Sequence, residues 1–205
     1  MLLNLIHNPQ QLVAYITALL AAITVHEHAH AWMANRLGDP TAKDMGRLSF
    51  NPMAHLDLMG TIFLLLVGFG WGKPVPINPN RLKNPIIDNI KISLAGPFSN
   101  LIFAIIVGLF IKFIPISQNT FDFFVIIITL NLVLMVFNLL PIPPLDGSHV
   151  MELFLPKETY ETYERFGMMF LILILVFSNY FPIIDIIINF TINLFFNTLF
   201  GIGMR

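Results

Sequence analysis

The 205-residue chain contains no cysteine, which rules out disulfides, thiolate zinc ligands and a cysteine nucleophile. Charge is scarce as well. Asp, Glu, Lys and Arg make up 11% of the residues, against roughly 25% in a soluble domain. Most side chains must therefore face something other than water. The net charge of −1 supplies no global field that would draw the chain to nucleic acid. The stretch MLLNLIHNPQ lacks a basic n-region and a small-residue cleavage site, so no signal peptide is expected. The first hydrophobic helix is expected to act as its own insertion signal. Repeats, low-complexity tracts and flexible linkers are missing too.

What is present is apolar: 56% of the residues are hydrophobic. A helix that crosses a bilayer needs about 20 mostly apolar residues. Residues 12–32 form a first such run, helical to about 36, followed by a polar stretch over 37–58. Runs over 90–113 and 121–140 are further spans. A polar patch over 151–165 holds many of the acidic residues, and runs over 167–180 and 183–200, divided by Pro182, close the chain. The length suits one membrane domain, residues 1–205, with a catalytic core over about 10–150 and a helical pair over about 166–202. The expected fold class is an all-α membrane protein with about five transmembrane helices. The run 59–71 is too short to cross upright as a helix and includes Gly60, Gly68 and Gly70, with Gly72 just beyond. It is expected to be a re-entrant loop or β-hairpin between the first and second spans. Such backbone survives at membrane depth only against protein or a wet cavity.

Residues 26–30 read His-Glu-His-Ala-His, an H-E-x-x-H motif. On a helix, positions i and i+4 share a face, so His26 and His30 can offer two imidazole nitrogens to one zinc ion. Glu27 is turned about 100° away, beside the ion and free to take a proton from water. The bland alternative is a polar cluster at a helix end facing water. Against it stands the apolar context, where each ionisable residue costs roughly 2.5–3.5 kcal/mol. His28 points away from the His26/His30 face and is expected to make a polar contact near the interface. A catalytic zinc needs a third protein ligand and an open position. Asp146 follows the run 121–140, in a proline-rich string that prevents regular helix. Taken alone, it could equally be a solvated residue in an interfacial turn.

Together these residues resemble the site-2 protease family of intramembrane metalloproteases. That family pairs H-E-x-x-H with N-x-x-P-x-x-x-L-D-G. Here Asn138, Pro141, Leu145, Asp146 and Gly147 complete the second motif. A third family-like element is Ala95-Gly96-Pro97-Phe98-Ser99-Asn100. The resemblance covers about residues 10–150 and leaves no room for a PDZ or CBS domain, as in a minimal member. It implies one zinc ion per chain bound by His26, His30 and Asp146, with Glu27 as general base. It also implies cleavage of a single-span membrane-protein substrate within the bilayer. Asn138 would bind substrate or steady the oxyanion. Its alternative is an interhelical hydrogen bond, and Asn100 and Asn131 carry the same ambiguity.

A shared ion makes a demand on topology. His26 and His30 lie toward the C-terminal end of their helix, and Asp146 lies just past the C-terminal end of another. The two helices must run the same way, so 59–71 must return to the side it left. Basic residues mark the cytoplasmic side. Arg36, Lys43, Arg47, Lys73, Arg81, Lys83 and Lys91 flank one side, and only Lys112 lies in the opposite loop. The site is expected to open toward the cytoplasm of a prokaryotic cell, in a multi-pass protein of the cell membrane. His55 and Asp57 are expected to be solvated loop residues. His149 is expected to be solvated or to support the site, and Pro74 and Pro76 to shape a turn. Rival readings are a small transporter, a zinc peptidase with Glu152, Glu158, Glu161 or Glu164 as third ligand, and a non-catalytic helix-binding scaffold.

Overall fold

The computed structural model describes residues 9–60, 72–177 and 182–201. Five long helices dominate: α1 (Pro9–Leu37), α2 (Pro85–Phe113), α3 (Gln118–Asn138), α4 (Lys157–Val176) and α5 (Ile183–Phe200). Among the described residues there is no strand beyond one isolated bridge. Four of the helices, α1, α2, α3 and α5, are long and apolar enough to cross a membrane.

Sequence signals account for the boundaries. α2 starts at Pro85, ahead of the apolar run, because proline fits the first helical turn, where its missing N–H removes no helix bond. α1 stops at Gly38, whose φ of 109° favours glycine. Ser117 caps α3 by accepting from the Thr120 N–H. The helical pair expected from about residue 166 begins earlier, within the polar patch that precedes it. The second half of that patch, with Lys157, Glu158, Glu161, Glu164 and Arg165, forms the opening turns of α4. Lys and Glu are good helix formers, so the helix extends beyond its apolar portion.

The interface between α1 and α2 explains how the core closes. α1 buries Ala18, Ala22, His26, His30 and Ala34. α2 buries Ile92, Gly96, Asn100, Ala104 and Gly108. Both sets step by four residues, so each forms one ridge of the helix surface. Small residues on such ridges let helix backbones approach closely within a membrane. α3 adds Ile128, Asn131, Leu132, Met135 and Val136, and α5 reaches the same core with Ile192 and Phe196. Large apolar side chains such as Ile102, Ile106 and Phe110 of α2 face outward, as lipid-facing positions should.

The connections are pinned by buried polar groups. Asp39 accepts from the Asn78 N–H at 2.6 Å and from the Thr41 N–H at 3.1 Å. Burial alone would raise the Asp39 pKa, but these hydrogen bonds hold it below the usual carboxylate value. Residues 61–71, most of the run expected to be re-entrant, lie outside the described residues. Next to that run, Leu56 forms an antiparallel bridge with Gly72. The Lys73 N–H also donates to the His55 carbonyl at 2.8 Å.

Candidate metal centre

α1 brings His26 and His30 to one face, with their Nε2 atoms 3.0 Å apart. Asp146 opens a short 3-10 helix, Asp146–Leu153, just after the proline-rich turn. Its Oδ2 lies 3.1 Å from His26 Nε2 and 3.5 Å from His30 Nε2. The three ligand atoms all fall within 4.8 Å of one another. The third candidate ligand is therefore beside the imidazoles and not in a solvated turn.

The donor set fits a cation. His30 Nδ1 is 2.7 Å from the Ile92 carbonyl oxygen, which can only accept, so Nδ1 carries the proton. His26 Nδ1 meets Asn100 Oδ1 at 2.7 Å, with the same consequence. Both Nε2 atoms then present lone pairs, and both face a carboxylate oxygen. Asp146 Oδ2 is buried without a hydrogen-bond partner. Three acceptors this close, with no proton among them, repel unless a positive charge sits between them. Two imidazoles and a carboxylate also match the N and O ligands that zinc takes in catalytic sites.

Glycines make the approach possible. A Cβ at Gly96 would run into both imidazole rings. A Cβ at Gly147 would run into the Leu139 and Leu140 carbonyls, so this glycine lets the Asp146 turn fold back on the end of α3. Glu27 is half-buried. Gly72 faces it, because a Cβ added there would stand 3.1 Å from Glu27 Oε1.

Arg47, one of the basic residues that flank this side, is buried. Its guanidinium donates to the Pro74 carbonyl at 3.1 Å and the Lys73 carbonyl at 2.5 Å, pinning the segment that carries Gly72. Burial lowers its pKa and the Glu27 carboxylate opposes the shift, leaving the group charged. No motif pointed to it.

Asn138 donates one N–H to the Leu134 carbonyl at 3.0 Å. Asn100 has both N–H groups engaged, with the Ala22 carbonyl and Asn131 Oδ1, so neither is free for an oxyanion. His55 is not a solvated loop residue: it is fully buried, with Nε2 2.7 Å from the Ser49 carbonyl oxygen. That bond closes the loop from Ser49 to His55, just ahead of the Leu56 bridge. Asp57 accepts from the Gly60 N–H at 2.8 Å. His28 stacks on Phe50, with ring centroids 3.9 Å apart. His149 is half-buried, 3.2 Å from the Tyr160 hydroxyl and 3.3 Å from the Asn89 amide nitrogen. It links α2 to α4 and does not enter the ligand set.

Comparison with known proteins agrees with this geometry. The profile of peptidase family M50 matches residues 14–117 and 114–178. The chain belongs to peptidase family M50. Among relatives, the candidate zinc metalloprotease YwhC of Bacillus subtilis is 44% identical over 162 residues, covering 74% of each chain. The candidate zinc metalloprotease Rip2 of Mycolicibacterium smegmatis is 29% identical over 174 residues, covering 80% of this chain and 67% of that protein. Rip2 of Mycobacterium tuberculosis strain H37Rv is 30% identical over 173 residues, covering 79% and 66%. No solved structure matches the chain. As an M50 member, the protein is a zinc metalloprotease, and its apolar helices make it an integral membrane protein. The M50 matches span the histidines, Gly96, Asn100 and Asp146 alike.

Proposed function

We propose that the chain is an intramembrane endopeptidase that hydrolyses a peptide bond within or near a transmembrane segment of a single-span membrane protein. The observation that carries this reading is the convergence of His26 Nε2, His30 Nε2 and Asp146 Oδ2 beside Glu27, among helices apolar enough to cross a bilayer. Zinc held by His26, His30 and Asp146 would supply Lewis-acid chemistry, polarising a carbonyl and acidifying water. Glu27, turned off the ligand face, accepts the proton of the attacking water. Asn138, with one N–H engaged by the Leu134 carbonyl, would use the other to bind substrate or steady the oxyanion. The buried Ala and Gly ridges of α1 and α2 exclude bulk water from the site.

The segment over 59–71 is read as re-entrant. The pairing of Leu56 with Gly72 supports this, because both ends of the run then start from one place. A peptide bond in a helix is protected by its own hydrogen bonding, so the substrate must unwind before cleavage. The re-entrant segment would then add a strand to the extended substrate. The excess of Arg and Lys in the loops around 36–58 and 71–91 supports a site that opens toward the cytoplasm. The transporter alternative rested on buried polar residues, and His26, His30, Asn100 and Asn131 are instead joined around one metal centre. The test is incubation of the purified protein with single-span substrates, with and without a zinc chelator. Cleavage that the chelator abolishes and zinc restores is expected. Cleavage indifferent to zinc removal would sink the proposal.

A further inference from the structure

Asn100 of α2 and Asn131 of α3 are both fully buried, and their hydrogen bonds run in a direction that the backbone dictates. Carbonyl oxygens only accept. The Ile127 carbonyl lies 2.8 Å from Asn131 Nδ2, which turns Asn131 Oδ1 toward α2. There it accepts one N–H of Asn100 at 2.8 Å. The Ala22 carbonyl of α1 takes the other at 3.0 Å. Asn100 Oδ1 is thereby left facing His26 Nδ1 at 2.7 Å. An oxygen in that place selects the Nδ1–H tautomer and turns the Nε2 lone pair toward the ligand cluster.

We propose that Asn100 and Asn131 form a positioning relay, aligned by the Ala22 and Ile127 carbonyls, that sets the tautomer and aim of His26. The inference rests on the metalloprotease reading for the identity of the ion and deepens that reading. The relay also joins α1, α2 and α3 at one buried point. α3 leads directly into the turn that carries Asp146, so the helix before the third ligand is tied to the helix bearing the first. His30 is aimed by the Ile92 carbonyl, a backbone group that no substitution removes. His26 alone depends on a side chain. Reversing the Asn100 amide would set N–H against N–H at His26 and oxygen against oxygen at Ala22 and Asn131. In a low-dielectric interior such unmade bonds are costly.

The test uses full-length protein in detergent, with zinc affinity measured by chelator competition for wild type, Asn100→Leu and Asn131→Leu. Groups that orient metal-bound histidines contribute about 10–100-fold to affinity, and Asn100→Leu should lose an amount in that range. Asn131→Leu should lose less than about 10-fold, because the Ala22 carbonyl still orients Asn100. Wild-type affinity in either variant overturns the relay. Zinc-loaded wild type labelled with 15N-histidine gives a readout that needs no variant. The His26 Nδ1–H should exchange slowly with water, and exchange as fast as in free imidazole overturns the relay. A wild type that holds no zinc sinks the metalloprotease reading together with the relay. A zinc-loaded wild type with an indifferent Asn100→Leu sinks the relay alone.

Discussion

Where α1 and α2 cross, the facing residues include Ala18, Ala22, Gly96 and Ala104, with His26, His30 and Asn100 set among them. α4 and the outer side of α5 are built differently. Phe166, Met169, Phe170, Leu173, Ile186 and Phe190 point away from the protein, and only three residues of α4 are buried, Tyr160, Gly167 and Leu171. The contrast follows from what each region must do. Lone pairs can converge on one ion only if the backbones behind them come close, which requires small residues and fully paired polar groups. A lipid-facing surface has no partner to fit, so bulk and hydrophobicity suffice.

Breaking the site itself should give the largest effects. Glu27→Gln should keep zinc and lose cleavage by about 10²–10⁴-fold, the range for a positioned general base, as read by metal analysis beside a cleavage assay. Asp146→Ala should lower zinc content, and an unchanged content would remove Asp146 from the ligand set. The same substitution at two points on the buried ridge of α2, one against the imidazoles and one against α5, sharpens the contrast. Gly96→Ala drives a methyl into both imidazoles and should cost about 1–3 kcal/mol, as overpacking does, with weakened zinc binding. Gly108→Ala meets the flexible end of Leu199 and should leave zinc affinity at the wild-type level. If both variants bind zinc equally, the close packing at Gly96 has no bearing on the metal.

The loop clamps should follow. Arg47→Gln strips donors from the Lys73 and Pro74 carbonyls. It should lower stability by about 1–3 kcal/mol, the range for groups left unpaired, and reduce turnover while zinc remains bound. The smallest effect concerns acid. The depressed pKa of Asp39 means that its contribution to stability is present above the unfolded carboxyl value of about 3.9. That contribution is lost as pH falls through the folded value. Thermal unfolding of wild type and Asp39→Asn should therefore differ near neutral pH and converge in acid. A constant difference at every pH would count against the Asp39 hydrogen bonds as the source.

Much of the architecture was readable because it is local. Helical periodicity places His26 and His30 together, and long apolar runs mark α1, α2, α3 and α5. The start of the C-terminal helical pair reads as about 166 because composition shifts there while helix propensity does not, and α4 in fact begins at Lys157. His55 reads as a solvated loop residue because polar character predicts exposure on average, and neither it nor Arg47 has a motif that reveals the carbonyls waiting for it. Asn100 was legible as a buried amide, but not as the partner of His26, since one residue type serves an oxyanion or an imidazole equally well.

Residue spacing was enough to pair the imidazoles and set Glu27 aside from them, because the turn of a helix is a property of the backbone and needs no neighbour. The meeting of Asp146 with those imidazoles, the room made by Gly96 and the hold of Arg47 on the segment beside Glu27 depend on how separate helices and loops dock. Those contacts join residues far apart along the chain, and their energies come from desolvation and hydrogen bonding across interfaces that no local stretch encodes.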